Sequence, residues 1–249
     1  MTKLASRCGL TAAAAVLGLV PLVANAKWTA KGEAGLVSAR GNTHTDSANA
    51  KFDIADELEK WKHAFGFSGV YAADEVGATA QRWEVHEQSD YKYSARTFGF
   101  ESIRYEDDRF SGFQYQSTFA LGVGHHFIAT EKTKLDAQIG AGYKVFETRD
   151  ALADDGITVI PGERKSQAVA QAGVTFERVL TPTTKITDKF LTEAGSDNTS
   201  VQNELSLQVK INNSFALAAG YSVHYNTDPP GNFKTTDTLM TLNLVYELK

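Results

Sequence analysis

Charged side chains at two-residue spacing are the first candidates for chemistry in this chain. Arg82, Glu84, His86, Asp90 and Lys92 occupy even positions of one segment, and Lys134, Asp136 and Lys144 do so in another. A spacing of two puts residues on one face of an extended strand. Each row would then either line a path for ions and small solutes or pair across strands and fill the space itself. The carboxylates Asp107, Asp108, Asp150, Asp154 and Asp155 are hard oxygen donors of the kind divalent cations take, but solvated loop charge is the simpler account. His125-His126 is no metal pair, because adjacent strand residues point to opposite faces. A lipid hydrolase built on Ser117 would need a His on a neighbouring strand and a third group to orient it. The strands expected beside Ser117 carry no such His, phosphate loops and paired catalytic acids are missing as motifs, and no cofactor is called for.

The elements that must hold these rows are strands. Trp83, Val85, Tyr91 and Tyr93 alternate with the polar row around His86, and Phe113, Tyr115, Phe119, Leu121, Val123 and Phe127 alternate with Gln114, Gln116, Thr118, Gly122 and Gly124. Leu135, Ala137, Ile139, Ala141, Tyr143 and Val145 alternate with Lys134, Asp136, Gln138 and Lys144, and the pattern recurs over Val201–Ile211, Phe215–Tyr225 and Met240–Leu248. Period two with one oily side marks a strand. Weaker strands fit at Trp28–Ala39, Ser47–Leu58, Trp61–Ala73, Thr97–Glu106, Gln167–Val179 and Thr184–Thr192, which brings the count to about twelve. Ten remains open, since Arg104 shares a face with Phe98 and Phe100, and neither face of Thr184–Thr192 is uniformly apolar. Short connections alternate with longer ones, the longest at Thr148–Lys165, as in barrels with short periplasmic turns and long external loops.

Residues 1–26 read as a cleaved signal peptide, with Lys3 and Arg7, an apolar run from Leu10 to Val23, and Ala24-Asn25-Ala26 at the cut; residues 27–249 form one domain. Its loss takes two cations and no acid, moving the net charge from −5 to about −7 and leaving no cysteine. With 25 Lys and Arg against 30 Asp and Glu and no basic run, nucleic acid is not an expected partner.

Alternation alone does not say which face looks inward. A closed barrel of twelve strands is wider than the roughly eight whose interior side chains just fill, so a soluble barrel would need a large apolar filling, while a sandwich would not. Aromatic placement favours a membrane. Trp28, Trp61, Tyr91, Tyr93, Phe98, Phe127, Phe176, Phe215 and Tyr246 fall near one set of strand ends, and Tyr71, Trp83, Phe113, Tyr115, Tyr143, Tyr221 and Tyr225 near the other. Two such girdles match the two interfaces of a bilayer. The expectation is an all-β, closed antiparallel transmembrane β-barrel with its first and last strands paired, because hydrocarbon does not tolerate an open edge. If the turn after Ile128 holds five residues, Gly122 faces Gly140 and Ala120 faces Gly142, a bare patch on the lumen wall that either serves curvature or admits a loop, a bulky neighbour or a ligand.

The stretch Gly41-Asn42-Thr43, the run from Tyr105 through Asp107-Asp108-Arg109-Phe110 to Gln116, Leu121-Gly122-Val123-Gly124-His125 and Gly140-Ala141-Gly142-Tyr143 resemble a family of salt-induced outer-membrane proteins that carries a domain of unknown function. The resemblance covers the mature chain. It implies an outer-membrane barrel of a Gram-negative envelope with a link to stress, and brings no catalytic residues. The end Tyr246-Glu247-Leu248-Lys249 departs from the aromatic final residue common in such strands. The expected partners are outer-membrane lipid, lipopolysaccharide and the barrel-assembly machinery, with the protein a monomer. The expected role is a plugged barrel or small-solute pore of unassigned activity; the alternatives are an outer-membrane lipid-modifying hydrolase and a soluble periplasmic β-sandwich that binds a ligand.

Overall fold

Alternation of apolar and polar residues carries through into strands in the computed structural model, which describes residues 27–39, 45–109, 111–152, 157–230 and 233–248. The chain first runs through β1 (Lys27–Ala39), β2 (Thr45–Glu57), β3 (Trp61–Asp74), β4 (Ala78–Lys92), β5 (Thr97–Asp108), β6 (Phe113–Ala129) and β7 (Thr133–Thr148). A two-stranded hairpin of β8 (Ala151–Leu152) and β9 (Val159–Ile160) interrupts the loop that follows. Five more strands complete the wall: β10 (Arg164–Thr181), β11 (Thr184–Gly195), β12 (Thr199–Lys210), β13 (Phe215–Asn226) and β14 (Thr236–Leu248). Leaving the hairpin aside, twelve strands form one closed antiparallel barrel in which sequence neighbours pair and β1 meets β14. That resolves the count in favour of twelve, and the sandwich is not formed. The expected leader and the Gly41–Thr43 stretch lie outside the described residues.

The outer wall is oily. Leu36, Phe52, Phe65, Phe67, Phe119, Leu121, Val123, Ile139, Leu205, Leu217, Leu242 and Leu244 are all exposed. Water does not tolerate so large a continuous apolar surface, whereas hydrocarbon favours it. Every barrel strand has 12 to 18 residues, more than the roughly 9–11 that cross a bilayer at a tilt. The longest, β6, β7 and β10, stand side by side.

Three local features depart from the simple alternation. In β5 the bulky residues point inward: Phe98 and Phe100 are buried, Arg104 and Glu106 follow on the same inner row, and Glu101 and Ile103 face out. Arg104 on the phenylalanine face is therefore no break in the strand but a sign that this strand is turned. In β6 the register shifts between Phe113 and Tyr115. A bulge of one residue swaps faces, so Phe113 turns inside at 2% exposure against Phe146, ring centroids 5.5 Å apart, and Gln114 is left exposed. The assignments of Phe113 to the girdle and Gln114 to the lumen are corrected for that reason, and Phe98, expected near a girdle, lies inside. A second shift follows His126, which lets Phe127 stand exposed at the strand end.

Candidate functional site

Polar rows that would be scattered in a flat sheet converge once the sheet is closed. Glu193 of β11 is the hub. Its Oε2 accepts from Arg104 Nη2 (3.0 Å), Thr118 Oγ1 (3.1 Å), Lys144 Nζ (3.1 Å) and Ser200 Oγ (3.4 Å). Glu193 and Lys144 are each 1% exposed in their side chains. Arg104 stands on β5, four strands around the wall from β11, so this contact crosses the lumen. Arg104 Nη1 also lies 3.5 Å from Glu84 and 3.4 Å from Glu106. Arg82 extends the network, donating to Glu84 at 3.1 Å and to Glu106 at 3.4 Å, with its Nη1 2.7 Å from His224 Nε2 on β13. Gln202 of β12 donates to Glu106 from the opposite wall at 3.3 Å. Each of these charges has a partner of opposite sign in a space that water barely enters, where an unpaired one would be costly.

Nearer the end of the barrel that carries the chain termini, a second bridge spans the interior: Lys51 Nζ of β2 donates to Glu204 Oε2 of β12, four strands around the wall, at 2.9 Å. A cavity of about 400 Å³ lies inside the wall there, bounded by Lys62, His86, Asp90, Asp136, Gln138, Lys189 and Glu204 among others. His126 Nδ1 lies 2.6 Å from Asp136 Oδ1, and Gln88 and Gln138 join across the cavity at 3.2 Å. At the rim, Lys92 donates to Glu57 at 2.8 Å and to the Leu58 carbonyl at 3.0 Å, and Lys134 lies 3.7 Å from Glu177.

The glycine patch has the expected register, Gly122 opposite Gly140 and Ala120 opposite Gly142. It admits a bulky neighbour. A Cβ at Gly122 would stand 2.5 Å from the Phe100 ring and 2.6 Å from Gly140 Cα, and one at Gly124 would collide with the Phe98 ring. Glycine is needed because aromatic rings of β5 press close against the backbone of β6 and β7.

Loops tie together the mouth at the end opposite the chain termini. Arg149 pairs with Asp107 at 3.3 Å, and the Arg149 amide donates to the Gly112 carbonyl at 2.9 Å. Gln167 donates to the Asn198 carbonyl at 3.1 Å, and Asn198 Nδ2 reaches Asn226 at 3.0 Å. Asp150 accepts from the Gly162 amide at 2.8 Å. Among the described residues no group of three or more His, Cys, Asp or Glu is arranged to hold a metal; Asp154 and Asp155 lie outside them.

Of the residues singled out as lumen-lining, Arg82, Glu84, His86, Asp90, Lys92, Gln116, Gly122, Gly124, Lys134, Asp136, Gln138, Gly140, Gly142 and Lys144 share the inner rows, and Gln114 alone does not. Arg104, Glu106, Glu193, His224 and Lys51 were not singled out. Arg104 carried a signal, an arginine in an apolar row, while Glu193 sits one residue past the expected strand end and its partners are distant in sequence. On the outside, Trp61, Tyr91 and Tyr93 form a cluster with centroids 5.0 and 5.3 Å apart, and Phe215 meets Tyr246 at 5.3 Å. Toward the end opposite the chain termini, Trp83 meets Tyr105 at a tilt with centroids 5.1 Å apart and Tyr105 stacks on Tyr115 at 5.9 Å, and Tyr71, Tyr143, Tyr221 and Tyr225 are exposed; Trp28 is half-buried.

Ser117 pairs with Tyr105 and Val145, so no histidine stands beside it. A serine and a histidine do meet on the outer wall: His63 Nδ1 lies 2.7 Å from Ser89 Oγ. The carboxylate there, Glu87, accepts from the serine at 2.6 Å. It holds the hydroxyl rather than orienting the imidazole, which is the reverse of a nucleophile relay.

An apolar outer face, two aromatic girdles and an ion-paired interior define an outer-membrane type of β-barrel. The chain belongs to the family described as "Protein of unknown function, DUF481", whose model matches residues 32–248. That membership bears out the resemblance carried by the Tyr105–Gln116 and Gly140–Tyr143 stretches. An uncharacterized protein of Escherichia coli (strain K12), YdiY, is 23% identical over 218 residues, covering 86% of this chain and 81% of that protein. Among solved structures the chain is similar to the translocator domain of the autotransporter NalP from Neisseria meningitidis, at 11% identity, TM-score 0.49, and 90% and 88% coverage. It is also similar to an outer membrane channel from Pseudomonas putida F1, at 10% identity, TM-score 0.48, and 89% and 94% coverage.

Proposed function

We propose that the protein is a monomeric, non-enzymatic barrel integral to the outer membrane of a Gram-negative envelope, shut in the external half of its lumen by the Glu193 network and open as a vestibule toward the periplasm. Small solutes pass only when that network parts. The observation that carries this reading is the Arg104–Glu193–Lys144 contact across the lumen, with Glu193 and Lys144 almost wholly buried. The outward apolar rows support the membrane placement, and the serine held by Glu87 rather than beside a relayed histidine supports a role without hydrolysis.

Planar-bilayer conductance tests the plug. The wild-type protein should give little or no stepwise current. Replacing both Arg104 and Glu193 by serine, which leaves no lone charge from that pair, should give clear steps. Large steady currents from wild type, unchanged in the double variant, would overturn the plug. Spin labels at Leu121 and Ile139 test the placement: accessibility to lipid-dissolved oxygen is expected, and release of the protein with periplasmic contents on osmotic shock would refute it.

A further inference from the structure

The outer wall is not equally oily all round. On β7 the outward positions from Leu135 to Val145 are apolar or aromatic without a break, and on the paired strand β10 so are those from Ala168 to Phe176. Such rows match the roughly 9–11 residues with which a strand crosses hydrocarbon. On β4 and β5 the row is interrupted. Between the girdle residues Trp83 and Tyr91 the outward positions of β4 are Val85, Glu87 and Ser89, and between Tyr105 and Gly99 those of β5 are Ile103 and Glu101.

These polar residues belong to one band. Register sets Asp56 of β2 against His63 of β3, His63 against Ser89 of β4, and Ser89 against Glu101 of β5. The His63 amide donates to Asp56 Oδ1 at 3.2 Å, and Ser89 links the His63 ring to Glu87. Glu87 stands between two exposed apolar neighbours, Phe65 and Ile103, and Glu101 is itself exposed. Among the described residues the outward rows of β2 to β6 carry no lysine or arginine, so neither glutamate has a cation beside it on the wall. At β6 the band ends, where Glu101 meets Leu121.

The band lies just inside one girdle. His63 stacks on Trp61 with ring centroids 5.7 Å apart, Ser89 is one outward position from Tyr91, and Glu101 is one from Gly99, which the Tyr93 ring covers. At a rise of about 3.3 Å per residue and a tilt of about 40°, one outward position is about 5 Å of depth, which would put Glu101 about 5 Å and Glu87 about 10 Å into hydrocarbon of uniform thickness. A carboxylate there loses its hydration, whereas a bilayer yields to a short apolar belt at a modest cost per ångström.

We propose that the β4–β5 wall is a membrane-thinning surface, fitted by a lipid bilayer whose head groups and water dip to Glu101 and Glu87 while the β7–β10 wall holds the full hydrocarbon thickness. The nearness of the band to the girdle and the missing outward cations favour this occupant over a partner protein, which would have to carry its own cations into the membrane. The proposal rests on the membrane placement above.

The test places nitroxide labels, one at a time, at Ile103 and Ile139 of the full chain in phosphatidylcholine vesicles and reads depth from accessibility to oxygen against a water-soluble nickel chelate. Ile139 should sit in hydrocarbon, and Ile103 should read at the interface rather than about 10 Å inside it, the depth that two outward positions from Gly99 would give. Glu87→Leu combined with Glu101→Leu, folded as judged by gel mobility before boiling, should return the Ile103 label to hydrocarbon, whereas Glu87→Asp combined with Glu101→Asp should leave it wet. A wild-type Ile103 label as deep as Ile139 overturns the proposal without any variant. So does an Ile103 label shielded from both reagents, which would mean that another protein covers the wall, or a folded leucine variant whose label stays wet. An Ile139 label shielded from oxygen would overturn the membrane placement instead.

Discussion

The wall made by β6, β7 and β10 and the seam between β1 and β14 are built from the same alternation, yet they differ in how completely they close. The wall is paired along nearly its whole length, from Tyr115↔Glu147 to Ala129↔Lys134 on one side of β7 and from Arg164↔Glu147 to Arg178↔Thr133 on the other. Inside it, the rings of Phe98 and Phe100 rest on Gly122, Gly124 and Gly140, and Glu193 gathers Arg104, Thr118, Lys144 and Ser200. The seam joins residues far apart in the chain, as in the Asn243–Glu33 bond, whose partners are 210 positions apart. Hairpin neighbours need only a turn to find their register, whereas the two ends must be brought together against the entropy of the whole intervening chain. Strength in this barrel is therefore local, and its closure rests on the five residue pairs from Ala30↔Leu248 to Ala34↔Leu244.

That contrast can be broken most forcefully at the hub. Glu193→Ala leaves the buried cations Arg104 and Lys144 without their shared acceptor, and unfolding in urea should show a loss of about 3–5 kcal/mol; a loss below about 1 kcal/mol would mean that the interior is wetter than its burial implies. Next in size is Gly122→Ala, whose new methyl meets the backbone of Gly140 as well as Phe100, with an expected cost of about 1–3 kcal/mol. Removing a ring at the turn between β4 and β5 tests whether surface aromatics matter comparably. Tyr93 covers Gly99, where a Cβ would approach its ring to 3.0 Å, and Tyr93→Ala should cost up to about 1 kcal/mol. Smallest is Met240→Ala on β14, expected within about 0.5 kcal/mol, since its side chain stands 79% exposed. Amide hydrogen exchange in detergent sharpens the same comparison: Gly35 and Leu36 should exchange ahead of Leu121 and Ile139, and equal protection would mean that the seam is zipped in solution.

Most of the fold was legible because strand alternation is a local property. Leu135 to Val145 and Phe119 to Val123 show which residues share a face without reference to anything distant, and Gly122 could be set opposite Gly140 from the length of one turn. Where the reading failed, the cause was a single extra residue. The bulge near Gln114 carries Phe113 to the inside, and nothing in the local composition announces it. β5 was harder because its apolar row packs on glycines inside the barrel, so the usual rule of oily outside and polar inside is reversed over half of its length.

From the amino-acid order alone came the strands, their faces, the order of pairing and an apolar exterior, all of which depend on contacts between residues close in the chain. The tertiary structure alone decided which charges meet. Arg104 and Glu193, 89 residues apart, face each other only because closure and stagger of the sheet bring them to one height across the lumen, four strands apart around the wall. The same closure leaves Asn243 with an acceptor unanswered. Periodicity repeats every two residues and carries no information about distance across a lumen, so the buried charge network exists only in three dimensions.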